Sequence, residues 1–176
     1  MKEIITFNPI DSDNTVLPIQ YNHMVQGMIY KLLDEELANF LHEEGFQNEK
    51  RIFKMFTFSR IKGSYTLDKD SGLIIFDGPI KLTISSYYDE FSNSIGNSFL
   101  KRQKVQLGNN YLEVKQLAVE KENVNSEEIK VRTLSPISTY STLYRKDGKK
   151  FTYYFNPKEE EFSEIMETNL KNKYKA

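Results

Sequence analysis

The sequence predicts an α+β fold in the order β-α-β-β-α-β, followed by the beginning of a second unit of the same kind. Apolar residues alternate in several short runs, which is the period of a half-buried strand. In other segments they recur every three or four residues, the period of an amphipathic helix. The order of these segments is that of the ferredoxin-like (RRM-like) arrangement, whose sheet covers one face with two helices and leaves the other for a partner.

The first strand and the first helix are predicted near the N-terminus. The run "EIITFNP" is rich in β-formers and is closed by Pro9, and Asp11 to Asn14 form a polar loop. Asn22 is a candidate N-cap for the helix that follows. One apolar stripe runs along this helix through Val25, Met28, Ile29, Leu32 and Leu33.

The helical stripe continues at Leu37, Phe40 and Leu41, so this region is either one long helix or two. Asp34 has the side chain of an N-cap for a second helix. Gly45 suits the left-handed residue that ends a helix. Both readings stay open at this point.

Two or three strands are predicted after the helices. The run "IFKMFTFSRI" is rich in β-formers, and "LIIF" and "IKLTIS" bracket Asp77 and Gly78, a pair typical of a hairpin turn. The run "YLEVKQLAVE" alternates enough to be the last strand. The helix before it is predicted by the spacing of Tyr88, Phe91, Ile95 and Phe99.

A second unit is predicted after a polar, linker-like break from Lys121 to Lys130. We predict a ferredoxin-like domain over residues 1–121 and a partial second one over residues 130–176, in which "VRTLSPIS" and "YSTLYR" are strand-like. The second piece is too short to close its own core, so it must pack on the first, pair with another chain, or belong to a longer one. Its helix is marked by Phe162, Ile165, Met166 and Leu170.

Composition narrows the class of protein. With 176 residues, 39% of them hydrophobic, the chain can bury a core. Its formal net charge of −1 lacks the basic excess typical of nucleic-acid binders, although a local patch could still contact phosphates. The absence of cysteine excludes disulfides and thiolate chemistry. Because the N-terminus has no signal-peptide pattern and no apolar run approaches the ~18 residues of a membrane span, we predict a cytoplasmic protein.

His42 and Lys54 are candidate catalytic residues, although each could also be an ordinary solvent-exposed side chain. An imidazole can exchange a proton near neutral pH, and a helix C-terminus favours its charged form. The alternative for His42 is a solvated histidine at a helix end. Lys54 alternates with Phe53 and Met55 in a strand-like run, so it projects from the opposite face, as many solvated lysines do.

Tyr30 lies off the apolar stripe, where it could hydrogen-bond a substrate or cover core side chains with its ring. On one unbroken helix Tyr30 and His42, at positions 30 and 42, would point about 120° apart. A site shared by these two residues therefore requires the helix to break near Asp34. His23 lies at a helix start, where the dipole disfavours an imidazolium, and a structural role is favoured for it.

Metal and nucleotide sites are disfavoured. The carboxylates occur in solvated runs, the two histidines lack metal-ligand spacing, and the glycines form no phosphate-binding motif, so no cofactor and no metal are expected. Basic residues beside aromatic ones suit RNA phosphates and bases, although lysine-rich turns often bind nothing. The candidate RNA-binding residues are Arg60, Lys62, Lys101, Arg102 and Lys104, and a further basic group runs from Arg145 to Lys150.

Four segments, "LPIQYNHMVQGMIYKLL", "FLHEEGF", "FKMFTFSRI" and "LSPIS", together resemble the CRISPR repeat-processing endoribonucleases of the RAMP superfamily. Their order and spacing carry the resemblance, which extends from the first strand to the end of the sequence. It implies tandem ferredoxin-like domains and metal-independent cleavage of precursor CRISPR RNA within each repeat. The implied reaction is attack of a ribose 2′-OH on the neighbouring phosphate, which leaves 2′,3′-cyclic phosphate and 5′-hydroxyl ends.

The resemblance also implies roles for three residues. His42 would be the general acid or base, Tyr30 would orient or activate the 2′-OH, and Lys54 would stabilise transition-state charge. Repeat RNA is the implied partner, with other subunits of a CRISPR effector complex or a second copy of the chain as further candidates. Relatives carry a glycine-rich loop near the C-terminus that this sequence lacks, so we expect a fragment or a shortened relative.

Three functions therefore remain open. An endoribonuclease would cleave repeat RNA with a dependence on His42. A non-catalytic RNA-binding subunit of a CRISPR effector complex would bind that RNA without forming product. A ferredoxin-like module for a protein or small ligand would fail to bind RNA even at low salt.

Overall fold

A computed structural model describes residues 1–121, 123–133 and 137–176. The chain divides into two compact units. Unit 1 comprises residues 1–46 and 54–123, and unit 2 comprises residues 47–53 and 124–176. Within the part that the structure describes, no helix is both long and apolar enough to cross a membrane.

Unit 1 is built on one large antiparallel sheet, which confirms the mixed α+β class. Its central strands run in the order β2-β7-β1-β9-β8, and β5 and β6 also pair with β7. Its strands are β1 (Lys2–Pro9), β2 (Asn14–Pro18), β5 (Phe56–Phe58), β6 (Lys62–Asp68), β7 (Leu73–Ser86), β8 (Lys104–Leu107) and β9 (Asn110–Glu120). Its helical segments are α1 (Asn22–Leu32), α2 (Glu35–Asn39), a π-helical turn (Phe40–Glu44) and α3 (Asp89–Lys101).

The core lies between one face of this sheet and the helices. Alternate residues of β1 and β7 are buried, as the period of a strand requires. The predicted stripe of α1 is also buried, as are Phe91, Ile95 and Phe99 of α3, whereas Tyr88 is half-buried and precedes that helix. Each large apolar side chain buried in this way stabilises the fold by about 1.5–3 kcal/mol. The innermost side chains include Ile5, Phe7, Ile29, Ile80, Leu82, Ile84, Phe91 and Ile95.

Strand β7 corrects the predicted hairpin at Asp77 and Gly78. The two residues lie inside a single strand from Leu73 to Ser86. The strand continues because it is paired on both sides of this point, with β2 at Asn14↔Asp77 and with β1 at Phe7↔Ile80. Gly78 has φ +69°, a backbone conformation that glycine adopts without steric cost and that marks a local irregularity in the strand.

Three strands of the sheet were not predicted. Asn14, assigned to a polar loop, begins β2, and its pairing with β7 is what orders it. Every residue of β6 is exposed, so this strand has no alternation of apolar and polar residues to reveal it. Strand β8 has only four residues, from Lys104 to Leu107, which is too few for a clear period.

The buried carboxylate of Glu3 ties β1 to the start of α3. Glu3 has no exposed surface, and its Oε1 accepts a hydrogen bond from the Ser92 hydroxyl. Its Oε2 has no hydrogen-bond partner among the described residues. Because an unpaired buried oxygen is costly, the bond from Ser92 offsets part of that cost and fixes where α3 begins relative to the sheet.

Unit 2 contains a hairpin and a long helix. Strands β10 (Tyr140–Tyr144) and β11 (Lys150–Tyr154) pair with each other, and α4 (Glu160–Lys175) follows. The short strands β3 (Phe46–Asn48) and β4 (Arg51–Phe53) form another two-stranded sheet. The predicted last helix is confirmed, although no residue of α4, which is described along its whole length, is buried.

The strand predicted from "VRTLSPIS" is not present in its described residues, 131–133 and 137–138, which have no regular secondary structure. Leu134, Ser135 and Pro136 lie outside the described residues.

Candidate active site

Helix α1 carries Tyr30 at the border of its buried stripe. The helix begins after Tyr21, whose side chain makes no capping hydrogen bond, so the predicted cap at Asn22 is wrong. Tyr30 is half-buried, because a rotation of about 100° per residue takes it away from the buried side chain of Ile29. Its ring therefore packs at the edge of the core.

The helix is interrupted at Leu33 and Asp34, and this interruption is the condition for bringing Tyr30 and His42 together. Leu33 is extended, and Asp34 is the N-cap of α2, where its Oδ1 accepts a hydrogen bond of 3.0 Å from the Leu37 N–H. The Asp34 N–H donates to the Ser94 hydroxyl at 2.7 Å, which fixes the break against α3. The hydrogen bond from Leu37 is the main reason that the pKa of Asp34 is lowered, so the capping carboxylate is charged at neutral pH.

We expect Asp34→Ala to lower the free energy of unfolding by about 1 kcal/mol, the usual cost of losing an N-cap. Urea denaturation at neutral pH, followed by circular dichroism, measures this change. Asp34→Asn is the matched control, because asparagine caps helices as well as aspartate does. Equal stability of the alanine variant and the wild type would show that this cap does not hold the break.

His42 lies on the π-helical turn that follows α2. The turn closes with a hydrogen bond of 2.6 Å from the Gly45 N–H to the Phe40 carbonyl, and Gly45 has φ +65° and ψ −173°. A glycine with positive φ therefore ends the turn as predicted, but its ψ is extended rather than that of a left-handed helical residue. The turn places the ring of His42 edge-on to that of Tyr30, with 5.9 Å between ring centroids and 79° between ring planes.

Lys54 reaches the same place from a third segment. It lies between β4 and β5 rather than within a strand, which corrects the prediction that it alternates with its neighbours in one continuous strand. Met55 has φ 53°, a left-handed conformation that is rare for a side chain of this kind, and its carbonyl accepts a hydrogen bond from the Ser86 hydroxyl. The Lys54 Nζ donates a hydrogen bond of 2.8 Å to the His42 carbonyl oxygen.

The imidazole of His42 is oriented by its neighbour Glu43. Its Nδ1 lies 2.7 Å from Glu43 Oε1, and 71% of the His42 side-chain surface is exposed. An ionised carboxylate only accepts hydrogen bonds, so this contact favours a proton on Nδ1. In the neutral ring, Nε2 is then the basic nitrogen and is free to meet a ligand.

The phenol of Tyr30 is a hydrogen-bond donor rather than a base. Burial raises the pKa of Tyr30, and a side-chain hydrogen bond with Gln26 opposes this shift in part. The hydroxyl therefore keeps its proton at neutral pH. It can donate a hydrogen bond to an oxygen of a ligand held beside His42.

Two phenylalanines support this cluster. The ring of Phe56 on β5 lies edge-on to Tyr30, with 5.8 Å between centroids, and stacks on Phe91 of α3 at 5.1 Å. These contacts connect Tyr30 to both the sheet and α3. Neither Phe56 nor Glu43 was predicted from the sequence as a site residue. The signals that could have indicated them are weak: Glu43 is next to His42 in the sequence, and Phe56 lies two residues after Lys54.

Of the predicted RNA-binding residues, Arg60 and Lys62 follow β5 along the sheet. Both are exposed, and Lys62 lies directly opposite Lys81 of β7, which is also exposed. Two like charges placed opposite each other across strands repel, and a bound anion would relieve this repulsion. Lys81 was missed because it alternates with buried isoleucine and leucine in a run that predicts only a strand.

The other predicted RNA-binding residues lie at the far end of α3. Lys101 ends the helix, Arg102 follows it and Lys104 begins β8, and all three are exposed. Ten residues of helix, or about 15 Å, separate Lys101 from Phe91. The structure therefore does not bring these cations into the cluster around His42.

A concave surface of unit 1 beside Asp34 is acidic. Among the described residues, no three His, Asp or Glu side chains are grouped as metal ligands would be. A pocket of about 370 Å³ is lined in part by carboxylates, which repel phosphate. Its lining residues are Asp34, Glu36, Leu37, Phe40, Tyr88 and Glu90.

Comparison with solved structures gives the class of protein. The chain is similar to a structure described as "CRISPR associated protein Cas6", with 26% identity, a TM-score of 0.68, and coverage of 99% of this chain and 70% of that one. It is also similar to "Characterization of a Cas6-related gene from Pyrococcus furiosus", at 25% identity, a TM-score of 0.68, and coverage of 94% and 65%. A third similar fold is "An RAMP protein binding different RNA substrates", at 22% identity, a TM-score of 0.67, and coverage of 94% and 66%.

Comparison with protein-family models agrees with the structural matches. Residues 118–176 match the model described as "CRISPR associated protein Cas6, C-terminal". No curated protein sequence matches the chain. Together with the structural matches over nearly the whole chain, this match relates the chain to CRISPR-associated Cas6 proteins. The chain is similar to Cas6 proteins and spans about two thirds of the length of these solved relatives.

Proposed function

We propose that this chain is a metal-independent endoribonuclease that cuts precursor CRISPR RNA within its repeat. The observation that supports this most directly is the convergence of an imidazole, a phenol and an ammonium group from three separate segments of unit 1. These are the group types that cleavage by a ribose 2′-OH requires. The similarity to Cas6 structures favours the same substrate.

In the proposed reaction, O2′ of the nucleotide before the cut attacks the adjacent phosphorus as the 2′-OH gives up its proton. The bond from phosphorus to O5′ breaks, and O5′ takes a proton. His42 Nε2 transfers one of these two protons, as base for the 2′-OH or, when protonated, as acid for O5′, and solvent water exchanges the other. The products are a 2′,3′-cyclic phosphate and a 5′-hydroxyl.

Tyr30 and Lys54 assist this step in different ways. Tyr30, which retains its proton, donates a hydrogen bond that orients the 2′-OH. The Lys54 ammonium stabilises the negative charge that develops on the phosphorane oxygens. Glu43 holds the imidazole through Nδ1, so it acts as a positioning residue.

Arg60, Lys62, Lys101, Arg102 and Lys104 are proposed to contact the RNA backbone. Their exposure and the facing pair of Lys62 and Lys81 support this role. We also propose that unit 1 is a ferredoxin-like domain, with domain bounds of 1–121 and 130–176 as the sequence predicts. The order of β1, α1, β6, β7, α3 and β9 along the chain supports that assignment.

The proposed function is tested with a repeat RNA that carries a single 2′-deoxy substitution. We expect the unmodified RNA to be cut in the presence of EDTA to give a 2′,3′-cyclic phosphate end. The RNA with deoxyribose before the scissile phosphate should bind equally well and remain intact, because it lacks the nucleophile. Cleavage of the deoxy substrate, or dependence on a divalent cation, would contradict the mechanism.

A second candidate function is a non-catalytic RNA-binding subunit of a CRISPR effector complex. A similar fold occurs in the solved protein described as binding different RNA substrates. This function predicts strongly salt-dependent binding of repeat RNA with no product under single-turnover conditions. Any cleavage that His42→Ala abolishes would rule it out.

A further inference from the structure

The β10–β11 hairpin of unit 2 presents an exposed face of tyrosines. In its antiparallel register Tyr140 lies opposite Tyr154, and Tyr144 lies opposite Lys150. Residues directly opposite each other, and those two apart along a strand, share one face of a sheet. The residues of this face, which we call the tyrosine face, are Tyr140, Thr142, Tyr144, Lys150, Thr152 and Tyr154, and all are exposed.

The aromatic rings of the tyrosine face already pair with one another and with a cation. Tyr140 and Tyr154 have ring centroids 5.6 Å apart, and their exposed fractions are 58% and 64%. The Lys150 ammonium lies 5.7 Å from the centroid of the Tyr144 ring, which is 65% exposed. Exposed aromatic rings grouped on one face offer planar surfaces on which nucleic-acid bases can stack.

The turn of the hairpin adds positive charge beside these rings. It contains Lys146 and Lys149 against the single carboxylate of Asp147, and Lys150 follows as the first residue of β11. Lys149 lies 4.0 Å from Asp147, so most of this positive charge is not neutralised within the turn. A turn of this charge attracts a polyanion.

The opposite face of the hairpin has a different character. Phe151 is partly buried beneath the Arg145 guanidinium, and the Tyr153 hydroxyl donates a hydrogen bond of 2.8 Å to Glu159. That bond is the main reason that the pKa of Tyr153 is raised. Aromatic groups on this side are thus engaged within the unit, whereas those of the tyrosine face are open to a ligand.

We propose that the tyrosine face binds single-stranded RNA. Bases stack on Tyr140, Tyr154 and Tyr144, and the lysines of the turn contact phosphates. Stacking on aromatic side chains is tolerant of base identity, and adjoining cations follow the backbone. The inference extends the proposed function, on which it rests for the class of ligand, and it adds a binding surface on unit 2.

The test is fluorescence anisotropy with labelled oligouridine and with an abasic oligonucleotide of equal length and charge. We expect Tyr140→Leu/Tyr154→Leu to weaken binding of oligouridine at least ~10-fold and to leave binding of the abasic oligomer nearly unchanged, since only the former can stack. Tyr140→Phe/Tyr154→Phe keeps both rings and should bind as the wild type does. Tyr174→Leu is the matched control, because Tyr174 is 93% exposed and lies elsewhere, on α4.

Lys146→Gln/Lys149→Gln provides an independent measurement. Each lost phosphate contact should lower the slope of log K against log salt by about 0.7 for a single strand, for both oligomers. Circular dichroism establishes that each variant is folded.

The proposal is overturned if the leucine variant binds oligouridine as tightly as the wild type does, which would leave a protein as the occupant of this face. It is also overturned if both oligomers lose affinity equally, or if the wild type binds neither at low salt. Single-turnover cleavage at saturating protein separates this inference from the proposed function. If the leucine variant binds RNA weakly but cleaves it at the wild-type rate once saturated, the inference and the proposed function are both supported. If the wild type binds RNA and never cleaves it, only the proposed function is contradicted.

Discussion

His42→Ala is expected to slow single-turnover cleavage of a cognate repeat RNA by at least ~10²-fold, the usual contribution of a proton-transfer group. The side chain is removed from the exposed rim of the cluster, so the fold and RNA binding should change little. The rate of product formation at saturating protein measures the first effect, and anisotropy with uncleavable RNA measures the second.

His23→Ala is the natural control for this experiment. His23 is the only other histidine of the chain, is exposed, and lies at the start of α1. Its loss should leave the rate unchanged. If His42→Ala cleaves at the rate of the wild type, or if both variants are slowed alike, the assignment of His42 is wrong.

Lys54→Met should also lower the cleavage rate by about 10²-fold, because it removes the positive charge from the proposed transition-state oxygens while keeping a long side chain. The Lys54 ammonium has a second contact, with the His42 carbonyl, so part of the loss could be structural. Lys54→Arg separates these contributions. It retains charge and hydrogen-bond donors and should recover part of the rate.

The matched control for Lys54 is Lys69→Met, in the exposed turn between β6 and β7. This variant removes an equal charge from the chain and should cleave normally. A normal rate for Lys54→Met would exclude an electrostatic role. A deficit that arginine does not relieve at all, accompanied by a lower free energy of unfolding, would assign Lys54 to structure.

The helices could be predicted from the sequence because burial has a period. The stripes of α1 and α3 are continuous, and the side chains at their apolar positions, such as Ile29 and Ile95, are buried. The break at Asp34 was recognisable from cap chemistry, although apolar periodicity alone continues through it. Its importance follows from geometry, since only a broken helix lets Tyr30 and His42 meet.

The strands around β7 could not be predicted in the same way. Asp77 and Gly78 have the local chemistry of a turn, yet pairing along both edges of β7 keeps them in a strand. Conversely, β6 is ordered by its pairing with β7, and because none of its side chains is buried, its sequence lacks the alternation of apolar and polar residues that predicts a strand. Tertiary pairing outweighs local preference in both cases.

The candidate site was predicted through resemblance rather than through any pattern in the residues. Nothing in the spacing of Tyr30, His42 and Lys54 indicates a common site, because they come from three segments. The contact of Glu43 with His42 was also hidden, since acidic residues in runs are usually solvated. The left-handed Met55, which has no sequence signature, lies directly after Lys54, at the point where the predicted strand is interrupted.

The long strand β7 also constrains how the chain is made. Strands β1, β2, β5 and β6 all pair with β7, and β1 otherwise pairs only with the later β9 within the described residues. During translation these four segments therefore leave the ribosome before their common partner exists. Strand β6 forms a local hairpin with β7, but the contacts of β1 and β2 with β7 join residues far apart in sequence and therefore form slowly. Unpaired strands are open to other chains meanwhile. The first half of the nascent polypeptide is thus where chaperones would be needed most.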